Sequence, residues 1–222
     1  STKLVGLPGH KQVLLEDAHK GWCLSYDKLI LCNGARELLL PFPGWTLPGV
    51  TGAGGLQALI KGGLSVRGER IVVAGSGPLL LAVAATAQAA GAQVLRVAEQ
   101  APLMAVAGFA AGLWRWPAKA LQALTLAHPG YRAASHVQSA QGVEKLQSLR
   151  LTTGKRTTEI ACDRLACGYG LIPNTELALA LGCGLNALGG VAVDAWQATT
   201  RDDTYAAGEC TGFGGSDKAL VE

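Results

Sequence analysis

The sequence predicts an α/β fold centred on a parallel crossover, and three observations lead there. Residues 70–74 (RIVVA) form an apolar, β-branched run that ends in Gly75-Ser76-Gly77. From Leu79 to Ala90 the chain is free of charge and rich in Ala and Leu, a helical composition that Gly91 stops. Gln93 to Ala98 then reads as a second strand, so strand, turn, helix and strand have the length of a parallel βαβ unit.

Before this unit, residues 11–16 (KQVLLE) and 21–25 (GWCLS) are expected as a short hairpin, and residues 27–32 (DKLILC) as an apolar strand. The stretch PFPGWTLPGV, residues 41–50, reads as an irregular connector, because its prolines fix φ and lack a donor. A short helix is expected over 54–61, ended by Gly62-Gly63. After the unit, residues 103–128 are helix-rich, with breaks expected at Gly108, Gly112 and Pro117. Segments 131–139, 143–153 and 157–160 alternate polar with apolar residues and read as an antiparallel meander. Residues 164–168 read as a buried strand, 175–181 as a short helix and 189–194 (GGVAVD) as a last strand.

The 222 residues are 49% hydrophobic and 16% charged, which suits a well-buried core and argues against disorder. The net charge of +3 is mild, and no basic stripe interleaved with aromatics gives support to a nucleic-acid partner. Six cysteines (Cys23, Cys32, Cys162, Cys167, Cys183, Cys210) form no CxxC and read as reduced, mostly buried thiols of a cytoplasmic protein. The histidines, His10, His19, His128 and His136, form no ligand grouping, so no metal is assigned. STKLVGLPGHK has no apolar signal core. Residues 71–95 carry no charge, but Gly75-Ser76-Gly77-Pro78 and then Gln88, Gly91 and Gln93 interrupt the run. A buried strand, turn and core helix are therefore expected in place of a transmembrane segment.

A strand running through GxG into a helix does two physical things. The first glycine makes the tight turn, and the second lets a pyrophosphate approach the backbone. The N–H groups of the first helical turn, with the positive end of the helix dipole, then stabilise phosphate. Gly75, Ser76, Gly77, Pro78 and Leu79 are the candidate contacts, and Pro78 stands where a missing N–H costs little. Glu99, 24 positions after Gly75 by subtraction, is near the spacing of about 20 at which an acid accepts from an adenosine ribose. No basic residue follows it in Gln100-Ala101-Pro102, so NAD, or another adenine nucleotide with a free ribose, fits better than NADP. The alternative is an ordinary βαβ turn with Glu99 as a solvated strand end. Leu80 stands where the third glycine of the fingerprint would, and is expected to move or tilt the helix outward.

Three further segments flank the unit in order: DKLILCNGAR (27–36), CGYGLIPN (167–174) and TYAAGECTG (204–212). With it they resemble the ordered motifs of the two-dinucleotide-domain flavoprotein disulfide reductase superfamily. LCNGARELLLPFPGWTLPGVTGAGGLQALIKGG and AAGECTGFGGSDKAL narrow the resemblance to the FAD-dependent subunits of opine oxidases, (hydroxy)proline dehydrogenases and bacterial hydrogen cyanide synthase. The resemblance implies two Rossmann-like dinucleotide-binding domains, with an NAD-type domain (66–164) inserted into a partial FAD domain (1–65 and 165–222). It implies that Asn33, Gly34, Ala35 and Arg36 form a loop beside the flavin. Gly208-Glu209 would occupy the place of a Gly-Asp pair whose acid meets the ribityl chain. Gly168 and Gly170, with Pro173, would match a segment near the nicotinamide side.

The implied function is part of an FAD-dependent oxidoreductase that passes electrons from a secondary amine or amino acid through flavin, beside a second oxidoreductase subunit in a hetero-oligomer. The alternative is a non-catalytic, nucleotide-binding structural module that holds ATP or nothing. No residue is assigned as a catalytic acid or base, since the flavin would carry the redox chemistry. Three departures from the disulfide reductases stand out: Leu80 for the third glycine, Ala82 for an acid, and no redox CxxC. A first flavin βαβ is expected before Ser1 and a cysteine-rich extension beyond Glu222, so the chain reads as a piece of a longer polypeptide.

Overall fold

The structure is a computed structural model and describes residues 2–112, 115, 121 and 125–213. The chain forms two compact units, Glu37–Gly170 and Ser1–Arg36 with Leu171–Glu222. The boundaries expected at 65/66 and 164/165 thus fall inside the first of these. The reason is local: β6 (Val50–Gly52) joins its sheet, and α1 (Ala53–Lys61) packs beside α2 (Leu79–Ala89).

The unit Glu37–Gly170 is built on a five-stranded parallel sheet. Its order is β6, β13 (Arg164–Gly168), β7 (Arg70–Gly75), β8 (Gln93–Glu99) and β9 (Tyr131–Arg132). Alternation along β7 builds the layers. Ile71 and Val73 face Leu56 of α1 and Leu80, Val83 and Ala87 of α2, whereas Val72 and Ala74 face the other side. There they meet Leu149 and Leu151 of an antiparallel meander, β10 (Ser135–Gly142), β11 (Leu146–Thr153) and β12 (Arg156–Ala161). Strands buried on both faces read as continuous apolar runs, as RIVVA does. At the amino end of the sheet, Arg70 forms a forked pair with Asp163 at 2.8 and 3.1 Å, fixing where β7 and β13 begin.

In the other unit, β1 (Lys3–Gly9), β2 (Gln12–Glu16) and β3 (Gly21–Ser25) form an antiparallel sheet. The expected hairpin is β2–β3, closed by the Asp17 carboxylate, which accepts from the N–H groups of His19 and Lys20. β4 (Leu29–Leu31) pairs in parallel with β15 (Thr204–Ala206), and β5 (Ala35–Glu37) pairs with β14 (Leu171–Pro173). Leu31, Ala178 of α4 (Glu176–Ala180), Cys183, Val191, Ala206 and Cys210 make its small core.

Two element expectations need correction. GGVAVD is no strand: Asn186 accepts from the N–H groups of Leu188 and Gly190, and Asp194 from Trp196 and Ala198. Such side-chain turns compete with a ladder and leave only isolated bridges at Val191 and Val193. Gly108 does not break the helix, which runs as α3 from Leu103 to Gly112. One interior glycine costs only about 1 kcal/mol. The break expected at Pro117 lies outside the described residues.

Candidate functional site

β7 ends at the glycine turn. Gly75 adopts φ +150°, and a Cβ there would stand 2.0 Å from the Gly168 carbonyl oxygen, so only glycine fits. Gly77 adopts φ +97° and has open space where its Cβ would be, the cradle that a close ligand approach requires. Pro78 precedes α2 directly. Gly168 and Gly170 follow on the neighbouring strand end, and the Gly168 carbonyl accepts from the Ser76 N–H at 2.7 Å.

Glu99 is not a solvated strand end; it is 3% exposed. Its carboxylate accepts from Ser76 Oγ, from the Gly77 N–H and from the Ala101 N–H, each at 2.9 Å. The Tyr131 phenol lines the cavity beside it. Burial first, and then the nearby charge of Glu99, push the Tyr131 hydroxyl up to about 12. A carboxylate offers roughly four lone-pair sites, so the turn itself takes most of the acceptor capacity of the group expected to meet a ribose. Tyr131, from a two-residue strand, carried no sequence signal for its place beside the turn.

Beside the turn lies an apolar cavity of about 560 Å³, lined by Pro78, Leu81, Val106, Phe109, His128 and Tyr131, with Glu99 at its polar end. His128 is a structural histidine: Nδ1 accepts from the Gly130 N–H at 2.9 Å. Burial pushes its pKa down, so the imidazole is neutral near pH 7.

A nucleotide fits this turn in shape more than in donors. The Ser76 N–H goes to Gly168, the Gly77 N–H to Glu99, and Pro78 has none. Leu80 and Leu81 close on the carbonyls of Gly77 and Pro78 at 3.3 and 3.2 Å. Among the described residues the Leu79 N–H is the first-turn donor left to face a phosphate. Leu80 itself is fully buried against Gly168. The close approach that the third glycine normally permits from the helix side is here permitted from the strand side.

The second cluster lies in the other unit, where β4 and β15 run in parallel and their carboxyl ends share one edge. The loop Asn33-Gly34-Ala35-Arg36 leaves β4, and Gly208-Glu209 leaves β15 in a short 3-10 turn. Cys210 anchors the two segments, its buried thiol donating to the Leu31 carbonyl. Asn174, the last residue of CGYGLIPN and one with no sequence signal of its own, ties the loop to that segment. Its N–H donates to the Gly34 carbonyl, its Nδ2 to the Asn33 carbonyl, and its Oδ1 accepts from Arg36 at 2.9 Å. Arg36 also pairs with Glu176 at 2.7 Å. Gly34 (φ +63°) and Gly208 (φ +82°) adopt left-handed backbone, and a Cβ built on either would meet nothing within 4 Å, so neither position adds side-chain bulk at this edge.

The chain is similar to known proteins along nearly its whole length. It is 32% identical over 240 residues to the HcnB subunit of hydrogen cyanide synthase from Pseudomonas protegens, covering 100% of this chain and 51% of that protein. An opine oxidase subunit of Rhizobium meliloti is 31% identical over 95% of this chain and 49% of its own length. The chain thus spans about half the length of these curated relatives. Among solved structures, thioredoxin reductase of T. acidophilum shares the fold with a TM-score of 0.71 at 17% identity, covering 99% of this chain and 69% of that one. The family model described as pyridine nucleotide-disulphide oxidoreductase matches residues 2–221. The chain therefore belongs to the pyridine nucleotide-disulphide oxidoreductase family.

Proposed function

We propose that this chain is part of an FAD-dependent oxidoreductase subunit. That subunit takes electrons from the oxidation of a secondary amine or amino acid, beside a second oxidoreductase subunit in a cytoplasmic hetero-oligomer. The observation that carries this reading is the edge where Asn174 fastens the Asn33–Arg36 loop and where Gly34 and Gly208 stay open. Similarity over nearly the whole chain to subunits named for hydrogen cyanide synthase and opine oxidase supports the substrate class. Asn33, Gly34, Ala35 and Arg36 would hold one side of the flavin, with Gly208 and Glu209 opposite. The flavin, when bound, supplies the hydride and electron chemistry, and the chain's residues bind and orient it.

A second reading is favoured by the occupied carboxylate of Glu99 and the spent donors of the Gly75 turn. On it, residues 37–170 form a structural nucleotide module that does not use NADH catalytically. Calorimetric titration with NADH, NADPH, ATP and FAD separates the two. NADH binding supports a working pyridine-nucleotide site, ATP binding alone supports the structural module, and silence from all four removes the nucleotide site. Purification of the full-length subunit without flavin absorbance would overturn the oxidoreductase reading.

A further inference from the structure

Two helices begin at the carboxyl edge of the parallel sheet, on either side of β13. β6 runs straight into α1, and β7 runs through the Gly75 turn into α2. A helix start offers N–H groups and the positive end of a dipole, which together hold an anion. Neither start has an acidic residue in its own first turn or a side-chain cap from its own N-cap residue. At both, a carboxylate from elsewhere in the chain is already seated. Glu37 Oε1 accepts from the Gly54 N–H at 2.7 Å, and Oε2 from the Gly55 N–H at 3.0 Å. A Cβ on Gly52 would collide with Glu37 Oε2, so the backbone of α1 opens around that group. At the Gly75 turn, Glu99 Oε2 accepts from the Gly77 N–H.

A pyridine dinucleotide, which the family implies, would reach this edge through its pyrophosphate. The residues present do not fit that group. The Ser76 N–H is spent on Gly168, the Gly77 N–H on Glu99, and Pro78 has none. A phosphate oxygen seeking the Gly77 N–H would also approach a like charge that is 3% exposed and therefore weakly screened. Among the described residues that line the adjoining cavity there is no Lys or Arg, and His128 is neutral near pH 7.

The cavity does fit an uncharged ligand. Its volume of about 560 Å³ lies within the range of small-molecule pockets, about 300–1,000 Å³. Leu81, Val106, Phe109 and Tyr131 give it apolar and aromatic walls that suit a flat ring. Ser76, Gly77 and Ala101 each donate to Glu99. Of roughly four acceptor positions on a carboxylate, that leaves one for a hydroxyl.

We propose that Glu99 is the chain's own anion in the seat of the pyrophosphate, and that the cavity takes an uncharged nucleoside to whose binding phosphates add nothing. This ligand class rests on the reading of residues 37–170 as a nucleotide module. Where a helix start has free donors, adding phosphates strengthens binding; here it should not.

Calorimetric titration of the chain with adenosine, AMP, ADP and NADH at one ionic strength tests this. Adenosine should bind, and ADP and NADH should bind no more tightly than adenosine. Glu99→Gln keeps the size of the side chain and an oxygen for Ser76 and Ala101, but its amide nitrogen cannot accept from the Gly77 N–H. With that donor freed and the charge gone, ADP should gain roughly tenfold or more over adenosine. Melting curves report whether the variant is folded, and the parent series decides without it. ADP or NADH binding roughly tenfold more tightly than adenosine to the parent would overturn the exclusion of phosphate and leave the nucleotide module standing. A folded Glu99→Gln chain with an unchanged ratio would overturn the role of Glu99. Silence from all four ligands would overturn this ligand and the module together, and none of these results bears on flavin.

Discussion

Leu80 on α2 lies against Gly168 on β13: a Cβ built on Gly168 would stand 3.1 Å from Leu80 Cδ2 and 3.0 Å from the Ala53 Cβ. The leucine that looked like a defect in the glycine fingerprint is thus matched by a glycine 88 positions later by subtraction. Gly168→Ala should therefore cost about 1–3 kcal/mol through overpacking, and Leu80→Ala about 2–5 kcal/mol through a cavity. The double variant should cost less than the two together, because the small side chain at 80 makes room for the one at 168. Urea unfolding of the four proteins measures the coupling, and strict additivity would show that the two residues do not share a space.

Glu99 and Ser76 make a second coupled pair. Ser76→Ala removes a hydrogen bond to a buried carboxylate and should destabilise by about 1.5–3 kcal/mol. The same change frees one acceptor position on Glu99, so any nucleotide that offers a ribose hydroxyl should bind more tightly to the variant. Glu99→Ala orphans several donors at once and should cost more than Ser76→Ala. Melting curves with parallel calorimetry would check both, and a Ser76→Ala protein as stable as its parent would contradict the bond.

The thiols divide by depth. Cys23 and Cys32 are exposed, whereas Cys162, Cys167, Cys183 and Cys210 are buried. Burial pushes the thiols of Cys162 and Cys167 up to about 12. A disulfide reagent at about pH 8 should label two thiols quickly and four more only on unfolding. The same shifts set an alkaline limit. These groups hold their protons longer folded than unfolded, so their contribution is complete below about pH 9 and is lost as pH rises toward about 12. Tyr131 acts in the same direction between about 10 and 12. Urea midpoints should fall steadily across that window, and midpoints independent of pH there would refute the assignment.

Asn174→Ala removes the side-chain bonds to Asn33 and Arg36 at a partly solvated site, so it should cost only about 1 kcal/mol of stability. If the Asn33–Arg36 loop holds the flavin, the full-length variant should nonetheless retain less flavin than its parent through gel filtration. Asn174→Asp keeps the acceptor for Arg36 and loses the donor to Asn33, so it should fall between the two. Equal flavin content in all three would separate Asn174 from cofactor binding.

What the sequence made legible was local. β7, the glycine turn, α2 and β8 announced themselves through apolar runs, glycines and a charge-free helix, each set by neighbours within a few positions. The meander was visible through its alternation. What stayed hidden depended on distance along the chain: β6, of which only Val50 falls in the expected connector, becomes a strand only through pairing with β13. Glu99 illustrates the same divide at the site. Its spacing from Gly75 was correct for a ribose contact, but nothing local disclosed that Ser76, Gly77 and Ala101 would converge on it.

The unit Glu37–Gly170 begins and ends at nearly one point, for the Leu38 N–H donates to the Gly170 carbonyl at 2.9 Å. A segment whose two ends meet asks almost nothing of the chain that carries it, since a short bridge can replace it without stretching either side.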